Sequence, residues 1–137
     1  MEDDILLDKI NIVERCIKRI QDEYIGYEDE LVTNYTKQDA IILNLQRACE
    51  AIIDMGLRII RLKHLDLPQS ARDIFAILER EGIIAADLSK KLQAMVGFRN
   101  IAVHDYTNLN LDIVKTILEE NLDDLVNFNT VILHIKF

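Results

Sequence analysis

Apolar residues recur every three or four positions over most of the chain, a spacing that predicts amphipathic α-helices. The first helix is predicted over about residues 3–24, and the stretch GYEDELVTNYT at 26–36 then predicts a loop with an extra turn. Six apolar positions of this helix share one face: Leu6, Ile10, Val13, Ile17, Ile20 and Tyr24.

The second predicted helix is long, about residues 37–63, with Thr36 as its N-cap and Asp39 in its first turn. Two apolar seams run side by side along it, which predicts a central helix covered on two sides by neighbouring helices or by a second subunit. The first seam is Ile41, Leu45, Ala48, Ile52, Met55, Ile59 and Leu62, and the second is Ile42, Cys49, Ile53, Gly56 and Ile60.

A third helix is predicted over about 70–81, because Ser70 and Asp73 resemble a short capping box and Gly82 is a natural residue after a helix end. A fourth follows over about 86–103. A fifth begins at the cap residue Asn110 and runs into the 130s, with five inward apolar residues: Val114, Ile117, Leu118, Leu125 and Ile132. The pattern predicts an all-α fold, an antiparallel bundle of four to five helices in a single domain, residues 1–137.

The charge of the chain argues against attraction of nucleic acid over its whole surface, because the formal net charge is −8. The distribution is uneven, however. Residues 1–36 hold 10 acidic and 4 basic residues, whereas residues 37–64 hold 3 acidic and 5 basic ones. A local positive cleft is therefore compatible with the sequence, especially if two subunits share it.

The two cysteines, Cys16 and Cys49, lie on different predicted helices without a nearby His or Cys, so we expect buried, reduced thiols and no metal site. The acidic start argues against a secretory signal, and the lack of a long apolar run argues against a membrane span. We therefore expect a soluble, cytoplasmic protein.

Arg99 occupies a position that the fourth helix otherwise reserves for apolar side chains. The seam is Leu88, Leu92, Met95, Arg99, Ala102 and Tyr106. A guanidinium that faces a core or an interface needs a partner for its charge. That partner is either a carboxylate, with Glu50 and Asp54 as candidates, or an anionic ligand.

His104 follows Arg99 by five residues, so on an unbroken helix their side chains point about 140° apart. They converge only if the helix ends near His104 or if two copies of the segment face each other. Histidine suits proton transfer near neutral pH, and arginine suits bidentate binding of phosphate. Arg99, His104 and Tyr106 would thus suit a phosphodiester-handling site without metal.

The stretch RNIAVHDY, residues 99–106, resembles the R-x4-H-x-Y motif of HEPN-domain proteins, and most closely that of HepT-type toxins. The likeness covers almost the whole chain, including NLQRACEAIID in the second helix and PQSARDIF before the third. It implies a homodimeric, metal-independent endoribonuclease without a cofactor, in which the motifs of two subunits meet in one cleft.

The resemblance also implies the toxin of a type VII toxin–antitoxin system. Its partner would be an MntA-type minimal nucleotidyltransferase antitoxin that transfers AMP from ATP to Tyr106 and so blocks the nuclease. His104 would be the general acid or base when an RNA 2′-OH attacks its own phosphodiester. Arg99 would stabilise the charge of the transition state.

Five further residues are candidates for supporting roles. Asn100 is a candidate to bond the motif or the RNA, and Asp105 to orient an imidazole, unless both are solvated helix-end residues. The basic residues Arg58, Arg61 and Lys63 are candidates for RNA phosphate contacts, the alternative being a solvated helix end.

Two other functions compete with a toxin ribonuclease. One is a non-catalytic HEPN partner or regulatory subunit of a nucleotidyltransferase. The other is a plain helical scaffold in which Arg99 forms a structural salt bridge. No glycine-rich phosphate loop stands out in the sequence, so any nucleotidyltransferase activity would belong to the partner.

Overall fold

The structure, a computed structural model, describes residues 3–137, in which every regular element is helical. The first four helices are α1 (Asp4–Tyr24), α2 (Tyr35–Leu62), α3 (Ala71–Arg80) and α4 (Ala86–His104). The last stretch joins α5 (Leu111–Thr116) to α6 (Leu122–Leu133) through a π-helical segment, Ile117–Asn121. These five helical rods confirm the predicted all-α bundle.

The start of α2 differs from the prediction. Asn34, in an extended conformation, is the N-cap, and its Oδ1 accepts the Lys37 N–H at 3.1 Å. The predicted cap Thr36 was wrong, since this residue already lies inside the first helical turn. Asparagine is on average the stronger N-cap of the two.

The caps of the later helices agree with the sequence. Ser70 Oγ accepts the Asp73 N–H at 3.1 Å, and Asn110 Oδ1 accepts the Asp112 N–H at 2.8 Å. Gly82, just after α3, has a φ of +73°, a conformation that a residue with a Cβ rarely adopts.

α2 is the central helix, as its two seams predicted, and it contacts α1, α3, α4 and α6. All six apolar positions predicted for α1 are buried. α3 crosses α2 closely at Gly56, where an added Cβ would lie only 2.6 Å from Ile74 Cγ2. α2 also contacts α4 directly, and this contact carries the candidate site.

The fifth predicted helix contains the π-helical segment, which the sequence pattern did not reveal. Its five predicted inward residues are nonetheless all buried. The wider turn of a π-helix lets the consecutive residues Ile117 and Leu118 both face the core.

Candidate active site

Arg99 meets a carboxylate from the neighbouring helix. Its Nη1 lies 3.2 Å from Glu50 Oε1, and its side chain is 20% exposed. Asp54, the other candidate partner, instead pairs with Lys9 at 2.9 Å. Arg99 Nε is buried and has no hydrogen-bond partner among residues 3–137, so the guanidinium retains a donor that its ion pair does not use.

His104 is the last residue of α4, and its exposed imidazole makes no hydrogen bond within the described part of the chain. Because α4 is unbroken from Arg99 to His104, the two side chains point about 140° apart in one protomer. The helix end therefore comes too late to bring them together. A single protomer therefore does not meet the first condition for convergence, a helix that ends before His104.

The chain turns sharply after His104. The Asp105 N–H closes α4 on Ile101 O at 2.8 Å, and its carboxylate accepts two hydrogen bonds from Asn108 Nδ2, at 2.9 and 3.0 Å. Asp105 thus braces the short 3-10 turn Tyr106–Asn108. An orienting role would require the Asp105 carboxylate to contact an imidazole. Within a protomer, this carboxylate does not bond the His104 ring. Asn100 is exposed and makes no hydrogen bond in residues 3–137.

Tyr106 is tied to α2. Its hydroxyl donates a hydrogen bond to Asp39 Oδ1, although the two residues are 67 positions apart. Burial of the phenol, together with the hydrogen bond and the negative charge of Asp39, raises the pKa of Tyr106 to about 12. The residue as a whole remains 40% exposed. The sequence predicted Asp39 in the first turn of α2, but α2 begins at Tyr35 and its first turn contains no acidic residue. The contact with Tyr106 was not predicted, because no local pattern marks a contact between distant helices.

Arg99 contacts Glu50 and Tyr106 contacts the earlier residue Asp39, so α4 runs antiparallel to α2. Leu43 on α2 and Val103 on α4 lie between these two contacts along the chain. Helical spacing places both on the same side of the helix pair. Both are large apolar residues left in solvent, with exposures of 43% and 44%. We call the surface formed by Leu43, Arg99, Val103 and Tyr106 the motif face.

The basic run at the end of α2 lies away from the motif. Arg58 Nη2 donates to Asp3 Oδ2 at 2.8 Å, and Lys63 Nζ donates to a carbonyl near the C-terminus at 3.2 Å. Arg61 is exposed. These residues lie about 12 to 20 Å along the axis of α2 from Glu50. The structure does not bring them together with Arg99 in one protomer.

The free cysteines Cys16 and Cys49 are both buried, which confirms the expectation of core thiols. Burial is the main cause that raises the pKa of Cys49 to about 12. No helix in residues 3–137 is long and apolar enough to cross a membrane. The same residues contain no cluster of His, Cys, Asp or Glu that could hold a metal ion.

A family model described as ribonuclease HepT-like matches residues 13–132, which include the whole motif at 99–106. The chain belongs to this family. Among curated relatives, the mRNA nuclease HepT of Shewanella oneidensis is 49% identical over 129 residues, 94% of this chain and 96% of that protein.

Solved structures of HepT-like toxins share the fold over nearly the whole chain. The tri-AMPylated Shewanella oneidensis HEPN toxin in complex with an MNT antitoxin matches with a TM-score of 0.92 at 47% identity, covering 97% of this chain and 99% of that one. A toxin–antitoxin structure with AMP-PNP matches with a TM-score of 0.93 at 47% identity, covering 97% and 100%. These HepT-like relatives confirm the predicted HEPN fold, the HepT-type family and the endoribonuclease class.

Proposed function

We propose that this chain is the toxin of a HepT/MntA-type toxin–antitoxin system, a metal-independent endoribonuclease that works as a homodimer. The observation that carries the proposal is the intact R-x4-H-x-Y motif, which spans the end of α4 and the 3-10 turn after it. Arg99 is held by Glu50 with its side chain 20% exposed, and His104 stands exposed. Messenger RNA, named for the Shewanella oneidensis relative, is the substrate class we favour.

The proposed cleavage is an attack of an RNA 2′-oxygen on the adjacent phosphorus. The O2′–P bond forms and the P–O5′ bond breaks, so one proton leaves the 2′-OH and one joins the departing 5′-oxygen. Two copies supply two His104 imidazoles, one for each proton transfer. Arg99, oriented by Glu50, donates to the phosphoryl oxygens where negative charge increases.

Dimerisation is supported by two features of the motif face. Arg99 and His104 diverge by about 140° on one helix, so a single protomer does not aim both side chains at one phosphate. Leu43 and Val103 also leave apolar surface exposed next to the motif. A second copy seated there covers this surface and brings its own motif to the same cleft, which concentrates positive potential in an otherwise acidic protein.

Regulation is supported by the relatives, which include an AMPylated toxin bound to an MNT antitoxin. In our proposal an MntA-type nucleotidyltransferase transfers AMP from ATP to the partly exposed hydroxyl of Tyr106. The added phosphate places a negative charge beside Arg99, competes with the RNA backbone and adds bulk at the cleft. The system would act in the cytoplasm.

An RNA cleavage assay in EDTA tests the proposal, with mass spectrometry used to establish that Tyr106 is unmodified. The wild type should cut total cellular RNA, and His104→Ala should not. His134→Ala is the matched control, since His134 is bonded to Thr130 O on α6, away from the motif, and should retain activity. Cleavage by His104→Ala contradicts the assigned role, and inactivity of the unmodified wild type favours a non-catalytic partner.

A further inference from the structure

The proposed cleavage does not use the contact between Tyr106 and Asp39. Asp39 Oδ1 accepts the Tyr106 hydroxyl proton, and the Asp39 carboxylate makes no other hydrogen bond in residues 3–137. Asp39 is exposed near the start of α2, the helix that contacts α1, α3, α4 and α6. The carboxylate is therefore held at the one hydroxyl that the proposed regulation modifies.

We propose that Asp39 is the proton acceptor for AMP transfer to Tyr106, so that the toxin supplies a catalytic residue for its own neutralisation. This inference rests on the proposed function, in which Tyr106 receives AMP from ATP.

In the proposed step, the Tyr106 oxygen attacks the α-phosphorus of ATP. The Oη–Pα bond forms, and the bond from Pα to the oxygen that bridges to the β-phosphorus breaks. That electron pair leaves with pyrophosphate. The phenolic proton passes along the existing hydrogen bond to Asp39 and then to solvent, which reaches the exposed carboxylate.

The geometry favours this role because a phenol has one proton and two acceptor lone pairs. Asp39 holds the proton, so the lone pairs of the oxygen remain available to the phosphorus. The pKa of about 12 keeps the Tyr106 hydroxyl protonated at neutral pH, so the attack needs a group that takes the proton as the new bond forms.

The interaction with Asp39 changes from attraction to repulsion when Tyr106 receives AMP. After transfer, the Tyr106 oxygen has no hydrogen to donate, and the attached phosphodiester is negatively charged. The Asp39 carboxylate then repels the modified side chain instead of binding it. The modified tyrosine is thereby released from α2.

The rate of the first AMP addition tests the proposal, measured by intact mass with the MntA-type partner and ATP. Asp39→Asn retains an oxygen acceptor but does not take a proton, and it should lower kcat by about a hundredfold or more. The KM for ATP and the affinity for the partner should not change. Asp39→Glu, which restores a carboxylate, should recover part of the rate. Asp8→Asn on α1 removes the same charge from an exposed site and should match the wild type.

Circular dichroism and the melting temperature establish that each variant is folded. A wild-type kcat in Asp39→Asn overturns the proposal. A raised KM or a weaker complex with an unchanged kcat also overturns it, because Asp39 would then only assist docking. If the wild type itself receives no AMP at Tyr106, the proposed function fails instead, and the two failures are distinguishable.

Discussion

Arg99 and Glu50 form an ion pair across the contact of α4 with α2, with Nη1 and Oε1 3.2 Å apart. The pair stands where the α4 seam is otherwise apolar, and it leaves the buried Nε of Arg99 without a partner in the described residues. Glu50 therefore both compensates the charge of Arg99 and orients the guanidinium, without using all of its donors.

Removal of either member of this pair should destabilise the fold. We expect Glu50→Ala to lower the free energy of unfolding by about 1–2 kcal/mol, less than for a fully buried pair because Glu50 is 38% exposed. A double-mutant cycle with Arg99→Ala, followed by urea unfolding, measures the coupling. Strictly additive losses would show that the ion pair contributes nothing.

Arg99→Lys separates the charge of Arg99 from its geometry. Lysine retains the positive charge but loses the planar fork that binds phosphate oxygens in pairs. Cleavage of RNA should fall by about a hundredfold, while the fold is retained. Arg15→Lys, at an exposed position of α1, is the matched control and should cleave normally. A scaffold function for Arg99 predicts a change in stability alone.

The phenol of Tyr106 should lose its proton only at unusually high pH, because burial and the Asp39 hydrogen bond raise its pKa to about 12. Asp39→Asn removes the negative charge that disfavours the phenolate, so the pKa should fall towards its ordinary value. The phenolate absorbance, taken as the difference from Tyr106→Phe in each background, measures it. An unchanged titration would mean that Asp39 does not bond Tyr106 in solution.

The N-terminal ion pair predicts a defined acid response. Hydrogen bonds from Arg58 and from the Leu6 N–H lower the pKa of Asp3 below its ordinary 3.8. Because the folded pKa is the lower one, this stabilisation is present above pH 3.8 and is lost as the pH falls through the folded value.

Asp3→Asn isolates this effect, since asparagine caps a helix as well as aspartate does. At neutral pH the variant should be less stable than the wild type by no more than about 1 kcal/mol. That difference should shrink as the solution is acidified below pH 3.8. Urea unfolding across this range is the measurement, with Asp8→Asn as the control. A difference that does not depend on pH would contradict the assignment.

A charge on the motif face should separate the proposed dimer. Val103 is 44% exposed, so Val103→Glu should fold, yet it buries a charge if a second copy sits there. We expect a monomer by sedimentation and the loss of RNA cleavage. Leu133→Glu, at a 47% exposed position of α6, should leave both unchanged. A monomeric Val103→Glu with full activity would refute the shared cleft.

Local sequence patterns were sufficient to locate the helices, the caps Ser70 and Asn110, and the turn at Gly82. Helical periodicity and capping depend on residues within a few positions of one another, so the chain carries this information locally. The motif was readable for the same reason, because its residues lie within eight consecutive positions, 99–106. The cap of α2 was misplaced by two residues, since Asn34 and Thr36 are both competent caps and stand close together.

The partners of the motif were decided by the packing of α2 against α4. The sequence offered both Glu50 and Asp54 for Arg99, gave no sign of Asp39 beside Tyr106, and left the distance of Arg58 from the motif open. Each contact depends on the relative rotation and register of two helices. The whole core sets that rotation and register, because every apolar seam must be buried at once.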